Sequence, residues 1–170
     1  MDRVDLATAG LFFSWAAHDL EEYVTMPSAS RELAERIPWL PEELRRDGVS
    51  REHVRVAMGV MAVLFAVGSI QGQRSRGRSW LYQALLHGYG LHGFSHLGSA
   101  ALSRGYTCGC ATALPIVLSS WFWARRMLRE EGIEVRPNWW VIPAFPIVTG
   151  IAHGAAHLVT RGRQGGSSGS

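Results

Sequence analysis

Four stretches of this 170-residue chain contain no Asp, Glu, Lys or Arg: residues 56–73, 79–103, 105–124 and 137–160, which are 18, 25, 20 and 24 residues long. Because 18% of the chain is charged, gaps of this length are rare by chance. About 20 residues of helix, rising ~1.5 Å each, cross the hydrocarbon core of a bilayer. A segment in lipid must satisfy its own backbone hydrogen bonds, so the gaps predict helices rather than loops. The 17 basic residues are all arginine and give a net charge of +3, which alone would suggest a nucleic-acid binder. Placed between apolar gaps, the arginines read instead as headgroup anchors, and nucleic acid is excluded as a partner.

A fifth apolar segment covers residues 6–26. Its start, Met1-Asp2-Arg3-Val4-Asp5, is net acidic, and His18-Asp19-Leu20-Glu21-Glu22 stands where a signal peptide would have a small-residue cleavage site, so it reads as a membrane helix. The expected fold is an all-α integral membrane bundle, a single domain over 1–164, with five transmembrane helices at about 6–26, 54–72, 80–102, 108–124 and 139–160. Trp80, Trp121, Trp123, Trp139 and Trp140 sit at segment ends as an interfacial belt. Residues 27–53, rich in Arg and Glu but with Leu33, Ile37 and Leu40 at helical spacing, form an interfacial segment between helices 1 and 2. Cys108 and Cys110 are too close for an ordinary bridge and read as small apolar residues at a helix start. Residues 165–170, GGSSGS, look like an appended linker.

The polar residues left inside the spans are the functional candidates, because ionisable groups in a membrane are costly. Six of them form three pairs of one spacing: His18 and Glu22, His92 and His96, His153 and His157. Residues four apart share a helical face, so each pair offers two ligands to one place. The second and third pairs also share the pattern H-G-x-x-H-L. Helices 1, 3 and 5 run in the same direction, and all three pairs fall at nearly one depth, ~18–21 Å from the same membrane face. Imidazoles with carboxylates suit zinc or iron rather than magnesium or calcium. The set is expected to hold one or two divalent ions, with Glu22 or Glu21 as ligand and the other glutamate as general base. Asp19 is placed to orient a histidine. His87, nine residues before His96 and on the opposite helix face, is given a pocket or packing role. His53 is assigned none.

The string His18-Asp19-Leu20-Glu21-Glu22 resembles the signature of the HXXEE family of small bacterial integral membrane proteins. The similarity extends over most of the chain, since such proteins combine the motif in the first helix with H-x-x-x-H pairs later. It implies that His18, Glu21 and Glu22 are the signature residues and His92, His96, His153 and His157 the later histidines. It also implies a multi-pass protein of the bacterial cytoplasmic (inner) membrane and a metal-dependent enzyme of unspecified chemistry. The arginine-only, alanine- and glycine-rich composition fits a high-GC bacterium, where natural-product tailoring is one role for such an enzyme.

The expected function is a membrane-embedded metalloenzyme acting on a small apolar or amphipathic substrate, by rearrangement, hydrolysis or other non-oxidative chemistry. The alternatives are a diiron oxidase or oxygenase, and a metal-ion or proton carrier using the same residues. Haem ligation ranks last, because it leaves the repeated i, i+4 spacing unexplained.

Overall fold

The computed structural model describes residues 2–39, 42–136 and 139–166. Among them there is no strand, and the chain is all-α. Helix α1 spans Arg3–Glu35 and starts at a capping box, in which the Asp2 side chain accepts from the Asp5 N–H and Asp5 accepts from the Asp2 N–H. It runs well past the expected end near Met26, and Pro27 lies inside it. A proline removes one backbone donor. In this turn side-chain hydroxyls supply others: Thr25 donates to the Glu21 carbonyl, Ser28 to that of Thr25 and Ser30 to that of Pro27. The first part of the expected interfacial segment is therefore a continuation of α1.

Helix α2 spans Glu42–Asp47, α3 Arg51–Arg74 and α4 Trp80–Ser103, the last two capped by Ser50 and Ser79. The expected span at 108–124 is a composite of α5 (Cys110–Thr112), a π-helical segment (Ala113–Leu118) and the beginning of α6 (Ser119–Glu130). Pro115 has no N–H to give to the preceding turn, and the helix widens around it. Helix α7 spans Val141–Gly166. Among the described residues two helices, α3 and the Val141–Thr160 part of α7, are long and apolar enough to cross a membrane.

The main core lies where α1, α3, α4 and the α5–α6 rod meet. Val4, Ala7 and Leu11 of α1 are buried with Tyr82, Leu86 and Tyr89 of α4, Val117 of the π-helical segment and Leu128 of α6. Trp15 stacks on Phe65 of α3 at a centroid distance of 5.0 Å. The buried Tyr82 hydroxyl donates to the Ala7 carbonyl at 3.1 Å, which ties α4 to α1. At the end of the bundle away from the histidines, Arg76 bridges Asp2 (2.6 Å) and Asp5 (3.1 Å), and Arg3 reaches Glu130 (3.1 Å).

The Arg76 guanidinium holds the Asp2 carboxyl below its ordinary value of 3.8. A group whose pKa is lower folded than unfolded contributes stability above its ordinary value, and that contribution is lost as pH falls through the lowered one. Melting temperature followed against pH should therefore drop more steeply below about pH 4 in the wild type than in Arg76→Ala, whose offset at neutral pH should vanish in acid.

Candidate metal centre

Two i, i+4 pairs on two helices converge. His18 and Glu22 of α1 and His92 and His96 of α4 each present one ligand atom, and these four atoms all lie within 4.8 Å of one another. His18 is fully buried and Glu22 nearly so. The His92 Nε2 is 3.3 Å from the His18 Nε2 and 2.8 Å from the His96 Nε2. The Glu22 carboxylate is 3.3 Å from the His96 Nε2 through Oε1 and 4.0 Å from the His92 Nε2 through Oε2. Ligands around a tetrahedral zinc stand about 3.3 Å apart for bonds of ~2.0–2.1 Å, so these separations bracket what one ion needs.

The outward ring nitrogens decide what the inward ones can do. Thr112 has one hydroxyl proton and gives it to the Glu21 Oε2. Towards the His18 Nδ1, 2.7 Å away, its oxygen can therefore only accept, and His18 carries its proton on Nδ1. The His96 Nδ1 faces the Cys108 carbonyl at 2.6 Å, another group that can only accept. Neutral His18 and His96 thus both turn a lone pair inward at Nε2, beside the His92 Nε2 and a carboxylate. One proton on His92 can satisfy only one of these acceptors. The donor set fits a cation shared among the four residues.

Glu21 is the frame of this arrangement. Its Oε1 accepts from the Tyr106 hydroxyl (2.6 Å) and the Ala111 N–H (3.2 Å), and its Oε2 accepts from the Thr112 N–H (2.8 Å) and hydroxyl. The two amides are free because they open a helix, where backbone donors have no intrahelical partner. Loss of solvent around its hydroxyl and the bond to Glu21 push the Tyr106 phenol up to about 12, so it stays a donor at any physiological pH. Gly109 caps α5 with a φ of +79°, and a Cβ there would stand 2.5 Å from the His96 ring and 3.0 Å from that of His18. Both conditions require glycine.

The third expected pair is not brought to this point. Helix α7 packs mainly on α3 and turns His153 towards His53, whose Nε2 lies 2.9 Å from the His153 Nδ1. His157 sits on an exposed part of α7. His87 is buried edge-on to Trp139, and neither ring nitrogen has a partner among the described residues. Among the described residues Asp19 makes no hydrogen bond to a histidine; Thr112 and the Cys108 carbonyl hold the outer nitrogens of His18 and His96. The residues that sequence reasoning passed over are Thr112, Tyr106 and Gly109, and His53, which it assigns no role, pairs with His153. Only Gly109, between two cysteines at a helix start, carried a local signal.

A cavity of about 100 Å³ adjoins the cluster at His92 and Glu22. Trp15, Phe65, Tyr89 and Phe145 wall it, and Asp19, Thr149 and His153 add polar groups.

A family model described as "Protein of unknown function with HXXEE motif" matches residues 9–124, which include both converging pairs and the Thr112 turn. No curated protein and no solved structure matches the chain.

Thr112→Val removes the acceptor for His18 and a donor to Glu21 with little change of shape. Metal affinity should fall about 10- to 100-fold, as for other losses of a ligand-orienting bond, measured by competition with a chromophoric chelator. Gly109→Ala should weaken binding at least as much.

Proposed function

We infer that this chain, which belongs to the family of proteins of unknown function with the HXXEE motif, uses that motif as half of a metal centre in a membrane-embedded enzyme. His18 and Glu22 of the motif, with His92 and His96, would hold one divalent zinc or iron ion. The observation that carries this reading is the convergence of two inward lone pairs, fixed by Thr112 and the Cys108 carbonyl, on His92 and the Glu22 carboxylate. Such an ion supplies Lewis acidity, polarising a substrate oxygen or nitrogen.

The chain's own residues divide the remaining work. Glu21 has both oxygens committed to donors, so its role is to position Thr112 and through it His18. Glu22, Asp19 and His153 are the groups lining the cavity that can take a proton. The aromatic wall favours a small apolar or amphipathic substrate. Four ligand atoms suit a single ion, which favours non-oxidative chemistry over a diiron oxidase.

The outer surface supports the membrane part of the reading. Only 28% and 17% of the most apolar windows of α3 and α7 are buried, whereas the core helix of a soluble protein would be mostly covered. Phe13, Leu20, Val63, Ile147, Ile151 and Leu158 all face outward. In this reading α1, α4 and the α5–α6 rod would cross beside these two helices, giving the five spans that the charge-free gaps imply. Helix α4 carries no Asp, Glu, Lys or Arg over its 24 residues.

Elemental analysis of protein purified without chelators should find close to one zinc or iron per chain, and His92→Ala and Glu22→Ala should each lose most of it. Wild-type protein without stoichiometric transition metal would sink this reading.

A further inference from the structure

Of the two carboxylates that line the cavity, Glu22 belongs to the metal centre and Asp19 does not. Asp19 is 9% exposed, and among the described residues no hydrogen-bond donor reaches its carboxylate. A buried carboxylate without a donor is costly, and such a cost is offset when a ligand supplies the donor. Asp19 also lines two spaces at once. One is the cavity beside His92 and Glu22; the other is a more open groove of about 270 Å³ between α1 and α3, bordered by Leu20, Tyr23, Met58 and Gly59. Nothing stands within 4 Å of where a Cβ on Gly59 would be, so the groove is unobstructed there. Asp19 is thus the threshold between the outer apolar surface and the site.

We propose that Asp19 anchors the head group of a ligand that enters sideways between α1 and α3, and that this ligand is a small molecule with an apolar body and a hydrogen-bond-donating head, an amine or a hydroxyl. The carboxyl groups around the cavity favour such a head and disfavour an anionic one. Glu21, Glu22 and Asp19 bring three carboxyl groups together, and with Glu22 on a divalent ion and Glu21 held by its donors, Asp19 is left as an acceptor without a donor. This assignment rests on the reading of the four-residue cluster as a divalent-ion site. A cavity of about 100 Å³ takes a body the size of a short alkyl chain or one small ring. Thr149, whose buried hydroxyl has no partner among the described residues, also lines the cavity and offers a second polar contact.

The test is calorimetric titration of zinc-loaded protein in nanodiscs with 1-hexylamine, 1-hexanol and hexanoate, with empty discs as the partition control. Hexylamine and hexanol should bind saturably and hexanoate at least about tenfold more weakly. Asp19→Asn should cost hexylamine about tenfold or more while hexanol stays within about threefold, because the amide keeps an acceptor but not the charge. Met58→Trp, which fills the junction of cavity and groove, should abolish binding of both. Zinc content and helical circular dichroism are measured on every variant, so that a misfolded protein is recognised. Equal binding of hexanoate and hexylamine to the wild type, or hexylamine binding unchanged in Asp19→Asn, would overturn the proposal. If the wild type holds no zinc, the metal centre fails on its own, and the dependence of hexylamine binding on Asp19 still decides the anchor with the zinc-free protein.

Discussion

A single hydroxyl proton governs the geometry around the histidines. Thr112 spends it on Glu21, and its oxygen is then available only as an acceptor, which fixes the proton of His18 on the outer ring nitrogen. The bond does two jobs, since Glu21 also holds the Ala111 and Thr112 amides and the Tyr106 hydroxyl and so fastens the start of α5 to the middle of α1. With α5 in place, the Cys108 carbonyl meets His96 and Gly109 lets the chain pass close to both rings. Remove that contact and the inner nitrogens lose their fixed tautomers as well as their positions. In the H-x-x-E-E string the two glutamates therefore have different tasks: Glu22 faces the cluster, and Glu21 faces the loop that orders it.

Much of this was legible in the sequence, for a definite reason. Spacing of four residues places two side chains on one helical face whatever the rest of the chain does, so His18 with Glu22 and His92 with His96 could be read directly. The same rule applies to His153 and His157, but it says nothing about which way a helix is rotated about its axis. That rotation is set by packing, and α7 lies against α3 and so turns its pair towards His53. Thr112, Tyr106 and the Cys108 carbonyl act across 12 to 94 positions of sequence, through a loop whose shape depends on tertiary contacts. No local pattern encodes them. Local sequence also does not show that α1 continues through Pro27 into the expected interfacial segment, with hydroxyls covering nearby carbonyls, or that the turn around Pro115 inside the expected span 108–124 widens into a π-helical segment.

Placement of the cavity follows from the same packing. Trp15 stacks on Phe65, and the space beside them is closed by Tyr89 and by Phe145 of α7, whose ring lies 5.2 Å from that of His92. An apolar wall is thereby set against a polar cluster, with Asp19 at the margin of both. The π-helical segment contributes from the other side, where Gly93 of α4 lets Val117 and Leu118 come close. A wider turn follows directly on Thr112, the residue whose hydroxyl the cluster depends on.

The coordination itself is the most direct test of the central claim. X-ray absorption at the metal edge of zinc- or cobalt-loaded protein should give nitrogen and oxygen neighbours at ~2.0–2.1 Å with outer scattering from about three imidazoles, falling to about two in His92→Ala. A sulfur neighbour, an all-oxygen shell, or imidazole scattering unchanged by His92→Ala would contradict an ion held by His18, Glu22, His92 and His96.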